Sequence, residues 1–211
     1  MHACHHRDPG DPGVPGVPGD PGVPATGKRR HPSSYGMQDP GIVFGALGLG
    51  PGGVFLDAGC GLGEYALEAA RLVGPTGMVH AFDVTPGCIE ELARQAVALG
   101  LSHLRAEVAD ITRPLPLPDA RVTVGLLGTV LHIPPVTRAM EAVFTEMRRV
   151  LRPGGRLGVI ECNPFSPCGP PRSMRLTAAR IVDALEACGF RSLGVHDMGY
   201  LYLALFQPGL P

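Results

Sequence analysis

The protein has 211 residues, a formal net charge of −1 and a hydrophobic fraction of 45%. This length supports one core of ordinary size and leaves little chain for a second. The near-zero charge provides no field that would hold a polyanion, so nucleic acid is disfavoured as a partner and a small molecule is favoured. No apolar stretch approaches the roughly 18 residues of a membrane span. The scattered cysteines favour reduced thiols and a cytoplasmic location.

The first 30 residues form a tail of unusual composition. Residues 8–24 repeat a Pro-Gly triplet, which is the collagen pattern, but about five triplets are too few to hold three chains together. We therefore predict an extended, disordered tail over 1–30, with a trimerising stalk as the alternative. The His- and Cys-rich residues 1–6 lack a spaced second half-site, so no metal site is predicted.

Short apolar runs alternate with helical periodicities from about residue 40 onward, which predicts a parallel sheet with helices on both faces. The predicted strands lie at 54–56, 78–82, 105–108, 122–127, 156–161, 193–196 and 200–206, and the predicted helices at 61–73, 85–99, 136–151 and 177–188. We expect an α/β fold with a doubly wound, mostly parallel, seven-stranded sheet and a C-terminal antiparallel hairpin. This domain would span 53–208 and follow an arm over 31–52.

The most informative segment is 54–63, a buried strand that runs into three alternating glycines at the start of a helix. Such a turn brings the backbone against a ligand, and a side chain at Gly59 or Gly61 would occupy the volume of that ligand. A dinucleotide site has the spacing G-x-G-x-x-G and binds a pyrophosphate. Here Asp57 precedes the first glycine and would repel a pyrophosphate. A carboxylate in this place favours a ligand with an ammonium group.

Residues 57–63 resemble motif I of the class I S-adenosylmethionine-dependent methyltransferases, which have a Rossmann-like fold. The resemblance continues to Asp83 after the second strand, where the family's acid accepts hydrogen bonds from the ribose hydroxyls. It also includes Asp110, whose counterpart contacts the adenine amino group, and Ile111, whose counterpart packs on the ring. The resemblance thus implies S-adenosyl-L-methionine as the cofactor. The cofactor-binding residues it implies are Asp57, Gly59, Cys60, Gly61, Asp83, Val84, Asp110, Ile111 and Leu127.

Two later segments, 128–133 and 147–156, are similar to the small-molecule branch of this family that includes the quinone-biosynthesis C-methyltransferases. The resemblance implies methyl transfer to a small acceptor by a monomer or homodimer. The family places active-site residues where His132 follows the fourth strand and Glu161 ends the fifth, and Tyr35 in the arm would close the site. For His132, a role as a catalytic base and a structural role remain equally open. For Tyr35, the alternative is that it belongs to a surface arm with no role in the site.

Three other hypotheses remain open at this stage. In the first, the chain binds the cofactor without catalysing a reaction and acts as a regulatory or partner-activating subunit. In the second, it methylates arsenite or another thiol-bound acceptor, which Cys162 and Cys168 would hold. This second hypothesis requires a third thiol, and Cys60 is the candidate. A protein or nucleic-acid methyltransferase would need a recognition module or a basic face, and the sequence shows neither. The sequence does not identify the acceptor atom.

Overall fold

A computed structural model describes residues 33–209, and the predicted tail over 1–30 lies outside them. The strands are β1 (Val54–Ala58), β2 (Met78–Asp83), β3 (Leu104–Val108), β4 (Val122–Gly128), β5 (Leu151–Cys162), β6 (Phe190–Asp197) and β7 (Leu201–Pro208). The α-helices are α1 (Pro40–Leu47), α2 (Glu64–Val73), α3 (Pro86–Ala98), α4 (Pro134–Arg138), α5 (Met140–Val150) and α6 (Ala178–Ala187). Short 3-10 helices lie at Ser34–Met37 and Arg172–Met174.

The strands form one seven-stranded sheet in the order β3-β2-β1-β4-β5-β7-β6. All neighbouring pairs are parallel except those that involve β7, which runs antiparallel to both β5 and β6. The predicted mostly parallel sheet with a C-terminal antiparallel hairpin is thus confirmed. The strand order reverses between β1 and β4, and in open α/β sheets this is where a crevice forms at the carboxyl ends of the strands.

Two hydrophobic cores cover the two faces of the sheet. Because side chains alternate along a strand, Phe55 and Leu56 of β1 point to opposite faces. Helices α1, α2 and α3 pack over Phe55, and helices α4, α5 and α6 pack over Leu56. Both faces of the sheet are therefore buried from solvent, which explains why the strand sequences are continuous apolar runs. In the part of the chain from 33 to 209, no helix is long and apolar enough to span a bilayer.

The arm predicted over 31–52 is more tightly integrated than expected. Asp39 caps α1 by accepting a hydrogen bond from the Gly41 amide at 2.8 Å, and Pro40 occupies the first turn. The helix then buries Val43, Phe44 and Leu47 in the same core as Phe55. The boundary predicted at residue 53 therefore lies within one packed unit. A short apolar helix such as α1 can belong either to an arm or to the core, and the sequence does not show which surface it packs against.

Two predicted elements differ from the observed ones. The helix predicted over 136–151 is divided at Ala139, whose φ of −104° and ψ of 18° interrupt the helical path between α4 and α5. The strand predicted at 156–161 begins earlier, because Leu151 already pairs with Val122. The ladder then shifts, so that Val124 pairs with Arg156 and the intervening residues bulge outward. Pro153 is tolerated there because a bulged residue donates no ladder hydrogen bond.

Candidate functional site

The turn after β1 is tied to the end of β2. The backbone amides of Gly59 and Cys60 donate to the Phe82 carbonyl at 2.8 and 2.9 Å. Gly59, Gly61 and Gly63 all have left-handed backbone conformations, with φ of 83°, 52° and 77°. Non-glycine residues rarely adopt this region, so the alternating glycines allow the chain to fold back sharply before α2 begins.

The three glycines are required for different reasons. A Cβ atom at Gly59 would lie 2.7 Å from Cγ2 of Val130, and one at Gly63 would lie 2.4 Å from the Leu92 methyl groups. A Cβ atom at Gly61 would meet no protein atom within 4 Å. Open space of the kind predicted for a ligand is therefore found at Gly61, whereas Gly59 is packed against the loop after β4.

Asp57 lies beneath this turn with a side chain that is only 2% exposed. The amide of Ala66 donates to its carboxylate, whereas Oδ2 is buried and has no hydrogen-bond partner within residues 33–209. Burial raises the pKa of Asp57 to about 7, and the negative charge of Asp83 contributes to the shift. A buried acceptor without a partner is costly, so this geometry fits a ligand that brings a cationic hydrogen-bond donor.

Asp83 connects the end of β2 to the glycine turn. Its Oδ2 accepts a hydrogen bond from the Gly61 amide and its Oδ1 accepts one from the Thr85 amide, both at 2.9 Å. Thr85 stands at the N-cap position of α3, but its side chain makes no capping hydrogen bond. The next residue after Asp83 is Val84, whose side chain is 62% exposed at the rim. The carboxylate retains free lone pairs toward this rim, because an ionised carboxylate has about four acceptor positions.

Asp110 is brought to the same rim because the Ala109 amide donates to the Asp83 carbonyl at 3.0 Å. Its carboxylate accepts hydrogen bonds from the amide and hydroxyl of Thr112, which lower the pKa of Asp110. Ile111 is buried in the core, and Leu127 on β4 has no exposed surface. The structure therefore does not bring Leu127 to the cleft, and Ile111 presents little of its side chain there.

Cys60 also lies in the turn, and burial, together with the charges of Asp57 and Asp83, raises the pKa of its thiol. The thiol donates to the Gly61 carbonyl at 3.7 Å. A neutral, half-buried thiol between two acids has little nucleophilic character, because the thiolate is the reactive form.

Glu161 and His132 form a buried pair that joins the ends of β4 and β5. Glu161 is completely buried, and its Oε1 accepts the backbone amides of Leu131 and His132 at 2.8 and 3.2 Å. Its Oε2 lies 2.9 Å from Nδ1 of His132, whose side chain is 15% exposed. Because an ionised carboxylate only accepts hydrogen bonds, Nδ1 carries a proton and a neutral imidazole presents Nε2 as an acceptor.

Tyr35 packs edge-on against Tyr65 of α2, with ring centroids 5.1 Å apart and an interplanar angle of 80°. Burial raises the pKa of Tyr35, and the charge of Glu68 contributes. Tyr65 was not among the site residues predicted from the sequence. The signal that was missed is its hydroxyl, since a buried tyrosine usually bonds a polar partner. Here that hydroxyl contacts Ser34 and Gln38.

The loop after β5 is held by Arg175 and contains two neighbouring cysteines. The Arg175 guanidinium donates to the carbonyls of Pro164, Ser166 and Pro170 at 2.6 to 3.1 Å. The Cys162 thiol donates to the Cys168 carbonyl at 3.3 Å. The ionisable neighbours of Cys60 are Asp57, Asp83 and Cys88 instead, and the described part of the chain contains no group of three potential metal ligands.

A cavity of about 820 Å³ lies elsewhere, around Arg148, Cys188 and Arg191, where β5 and β6 begin. None of the site residues predicted from the sequence lines it. Ligands of open α/β sheets bind at the carboxyl ends of the strands, so the cleft around Asp57, Asp83 and His132 is the stronger candidate site.

Comparison with known proteins agrees with this architecture. Residues 55–155 match a family described as a methyltransferase domain. The arsenite methyltransferase of Halobacterium salinarum is 32% identical over 56% of this chain and 30% of its own length. The 2-phytyl-1,4-naphtoquinone methyltransferase of Synechococcus elongatus is 34% identical over 56% of this chain and 49% of its own length. The chain therefore spans half or less of these two relatives.

A solved structure gives the fold over a longer range. A SAM-dependent methyltransferase from Aquifex aeolicus has a TM-score of 0.75 and 26% identity, over 83% of this chain and 93% of that one. A doubly wound sheet with one antiparallel strand, a glycine turn and acids at successive strand ends fits an α/β fold that binds its ligand at the carboxyl ends of the strands. The methyltransferase-domain match over residues 55–155 and the likeness to the Aquifex aeolicus structure support a class I S-adenosylmethionine-dependent methyltransferase fold for this chain.

Proposed function

We propose that the protein is an enzyme that transfers a methyl group from S-adenosyl-L-methionine to a small-molecule acceptor. The observation that carries this proposal is the buried, unpartnered Oδ2 of Asp57 beside the open space at Gly61. An ammonium group satisfies such an acceptor, whereas a pyrophosphate would be repelled by it. The aminoacid end of the cofactor carries that ammonium group.

The remaining cofactor contacts follow from the strand ends. Asp83 would accept hydrogen bonds from the ribose hydroxyls, and Asp110 would accept one from the adenine amino group. Val84 is exposed beside Asp83 and offers an apolar surface for the base. The backbone of residues 59–61 would line the sulfonium side, and Ile111 would touch the ring only at its small exposed edge.

When bound, the cofactor supplies a methyl group on a positively charged sulfur, which is already a good leaving group. The chain's contribution is therefore chiefly to align the acceptor with that methyl group. An acceptor that arrives protonated also needs a base, and Nε2 of His132 would take its proton. Glu161 fixes the ring through Nδ1 and would stabilise the imidazolium that forms. Tyr35 would close the site from the arm.

A small acceptor is supported by the relatives, whose names specify arsenite and a phytyl naphthoquinone. The formal net charge of −1 provides no positive field that would attract a polyanion, which supports a protein without a nucleic-acid partner. The five cysteines within residues 33–209 are all free, which supports action in the reducing cytoplasm. We propose a monomer or a homodimer.

Arsenite is the second candidate acceptor, because Cys162 and Cys168 lie in one loop and a relative bears that activity in its name. A third thiol would be needed, and Cys60 belongs to the Asp57 and Asp83 neighbourhood instead. We therefore favour an organic acceptor.

The test is to incubate the purified protein with methyl-labelled S-adenosyl-L-methionine and a metabolite extract, and to identify the labelled product by mass spectrometry. Arsenite in the presence of a thiol reductant is a separate arm of the experiment. Calorimetry with S-adenosylhomocysteine is the accompanying measurement. Binding without any labelled product would favour the non-catalytic, partner-activating alternative, and absence of binding would exclude both hypotheses.

Gly61→Ala is expected to weaken S-adenosylhomocysteine binding by roughly tenfold or more, because its methyl group would enter the open space of the turn. The added left-handed strain costs about 1 to 2 kcal/mol of stability. Gly100→Ala is the matched control, since Gly100 also has a positive φ of 69° and open surroundings but follows α3. If both variants lose the same stability and the same affinity for S-adenosylhomocysteine, the assignment of Gly61 to the cofactor site is contradicted.

His132→Asn is expected to lower methyl transfer by roughly 10²- to 10⁴-fold for an acceptor that must lose a proton. Binding of S-adenosylhomocysteine should change little, because His132 lies on the acceptor side of the cleft. His196→Asn on the exposed end of β6 is the control. Rates would be measured with the labelled cofactor and the identified acceptor, and an unchanged rate in His132→Asn would assign the histidine a structural role only.

A further inference from the structure

The hydroxyl of Tyr65 holds the N-terminal arm against the sheet. Tyr65 lies on the buried face of α2, and its ring packs between Tyr35 and Phe44. Its hydroxyl accepts a hydrogen bond from Ser34 at 3.5 Å and a short one from the side-chain amide of Gln38. Residues 33–38 are thus fixed above the carboxyl ends of β1 and β4 by one phenol.

Two buried side-chain atoms within residues 33–209 have no hydrogen-bond partner, namely Oε1 of Gln38 and Oδ2 of Asp57. Both lie around Tyr65. Gln38 is bonded to its hydroxyl, and the Asp57 charge contributes, after burial, to raising the pKa of Tyr65 to about 12. Each atom is an acceptor, and an unsatisfied buried acceptor costs about 1 to 3 kcal/mol.

This coincidence is difficult to explain by packing alone. An arm that merely covers the core would be equally well held by apolar side chains, without a buried amide oxygen that lacks a donor. Two unpaired acceptors near one phenol would be satisfied together by a single group with several donors. An ammonium has three N–H donors and no acceptor, so it can serve both oxygens at once, whereas a carboxylate would be repelled by each.

We propose that Gln38 belongs to the cofactor site, where its Oε1 and the Oδ2 of Asp57 together receive the ammonium of the cofactor's aminoacid end, with Tyr65 as the positioning residue. This inference rests on the proposed function and extends it to the arm. Gln38 would contact the cofactor directly, and Tyr65 would act through Gln38.

The same contacts connect the arm to the acceptor side of the cleft. The Thr129 hydroxyl donates to Ser34 Oγ at 3.3 Å, and the Thr129 amide donates to the Ile160 carbonyl at 2.7 Å. Thr129 has a positive φ of 53°, which is strained for a β-branched residue. The loop that follows Thr129 carries His132. Ordering of the arm by the cofactor would therefore also order the loop that holds the candidate base.

The experiment compares S-adenosylhomocysteine with 5′-methylthioadenosine, which has the same nucleoside but lacks the aminoacid end. Calorimetry on the full chain would use wild type, Gln38→Leu and Tyr65→Phe, which keeps the ring packing. Both variants should lose roughly tenfold or more in affinity for S-adenosylhomocysteine, as expected for a hydrogen bond to a charged group. Affinity for 5′-methylthioadenosine should stay within about twofold. Gln207→Leu, which removes a glutamine bonded to Arg191 at the distant edge of the sheet, is the control.

Gln38→Glu distinguishes the two ends of the aminoacid group. If residue 38 faces the ammonium group of the ligand, the new carboxylate should preserve or strengthen S-adenosylhomocysteine binding. If residue 38 faces the carboxylate group of the ligand, Gln38→Glu should weaken this binding as much as Gln38→Leu does. The second result would overturn the proposal. Equal losses for both nucleosides, or none, would also overturn it and assign the arm a packing role. If wild type binds neither nucleoside, the proposed function itself fails. If it binds only 5′-methylthioadenosine, nucleoside recognition stands but the proposed function fails together with this inference. If wild type and Gln38→Leu bind S-adenosylhomocysteine equally well, this inference alone fails.

Discussion

Glu161→Ala is expected to lower the free energy of unfolding by roughly 3 to 5 kcal/mol. The carboxylate is completely buried and receives three donors, the backbone amides of Leu131 and His132 and the Nδ1–H of His132. Truncation leaves all three without a partner in a site that water does not reach. Denaturant unfolding at pH 7, with and without S-adenosylhomocysteine, would measure the loss.

Glu161→Gln separates the effect on the free energy of unfolding from the effect on the rate of methyl transfer. It keeps the volume and the Oε1 acceptor for the two amides, but it places an NH₂ group opposite Nδ1. The His132 ring would then turn its unprotonated nitrogen toward the new side-chain amide and carry its proton on Nε2, which is no longer a base. A stability loss of only about 1 kcal/mol should accompany a loss of methyl transfer similar to that of His132→Asn. A change below about 1 kcal/mol in Glu161→Ala would contradict the role given to this pair.

The sequence predicted that His132 and Glu161 would face the same rim, because parallel strands end at one edge of the sheet. It did not predict the bond between them. That bond depends on the path of the loop after β4, which turns at Thr129 with a φ of 53°. A threonine in this conformation has no local signal, since only the surrounding contacts stabilise it.

The fold was more accessible to prediction than the site. Period and turn residues were enough for the mostly parallel seven-stranded sheet and for its C-terminal antiparallel hairpin. In a sheet buried on both faces, however, apolar residues carry no alternation that would separate core from cleft. The resemblance assigned Leu127 to the cofactor site, and the apolar pattern could not show that its side chain is enclosed in the core. The glycine spacing likewise could not show that the neighbour of Gly59 is Val130 and not open space.

Asp57→Asn is expected to weaken S-adenosylhomocysteine binding by roughly tenfold or more, while it stabilises the ligand-free protein above pH 7. The cause of the second effect is that burial raises the pKa of Asp57 from 3.8 to about 7. A carboxyl that binds its proton more tightly in the folded state than in the unfolded state makes stability fall as pH rises from about 4 to about 7. Asparagine has no such proton to lose.

The sign can be tested between pH 6 and pH 8. A folded pKa of about 7 predicts that the ligand-free wild type loses about 1.4 kcal/mol over this interval relative to Asp57→Asn. For a chain of this size the difference corresponds to roughly 3 to 6 °C in Tm. Wild-type affinity for S-adenosylhomocysteine should rise over the same interval, because the ionised carboxylate is the form that attracts an ammonium.

Asp197→Asn is the matched control, since the side chain of this exposed acid accepts a hydrogen bond from the Gly199 amide at the turn before β7. It should leave both the Tm difference and the affinity unchanged. Melting curves and calorimetry at the two pH values would be recorded on the three proteins. An identical pH response in wild type and Asp57→Asn would mean that the carboxyl does not titrate between pH 6 and pH 8, which would contradict its raised pKa. An unchanged affinity of Asp57→Asn for S-adenosylhomocysteine would contradict the contact between Asp57 and the ammonium group.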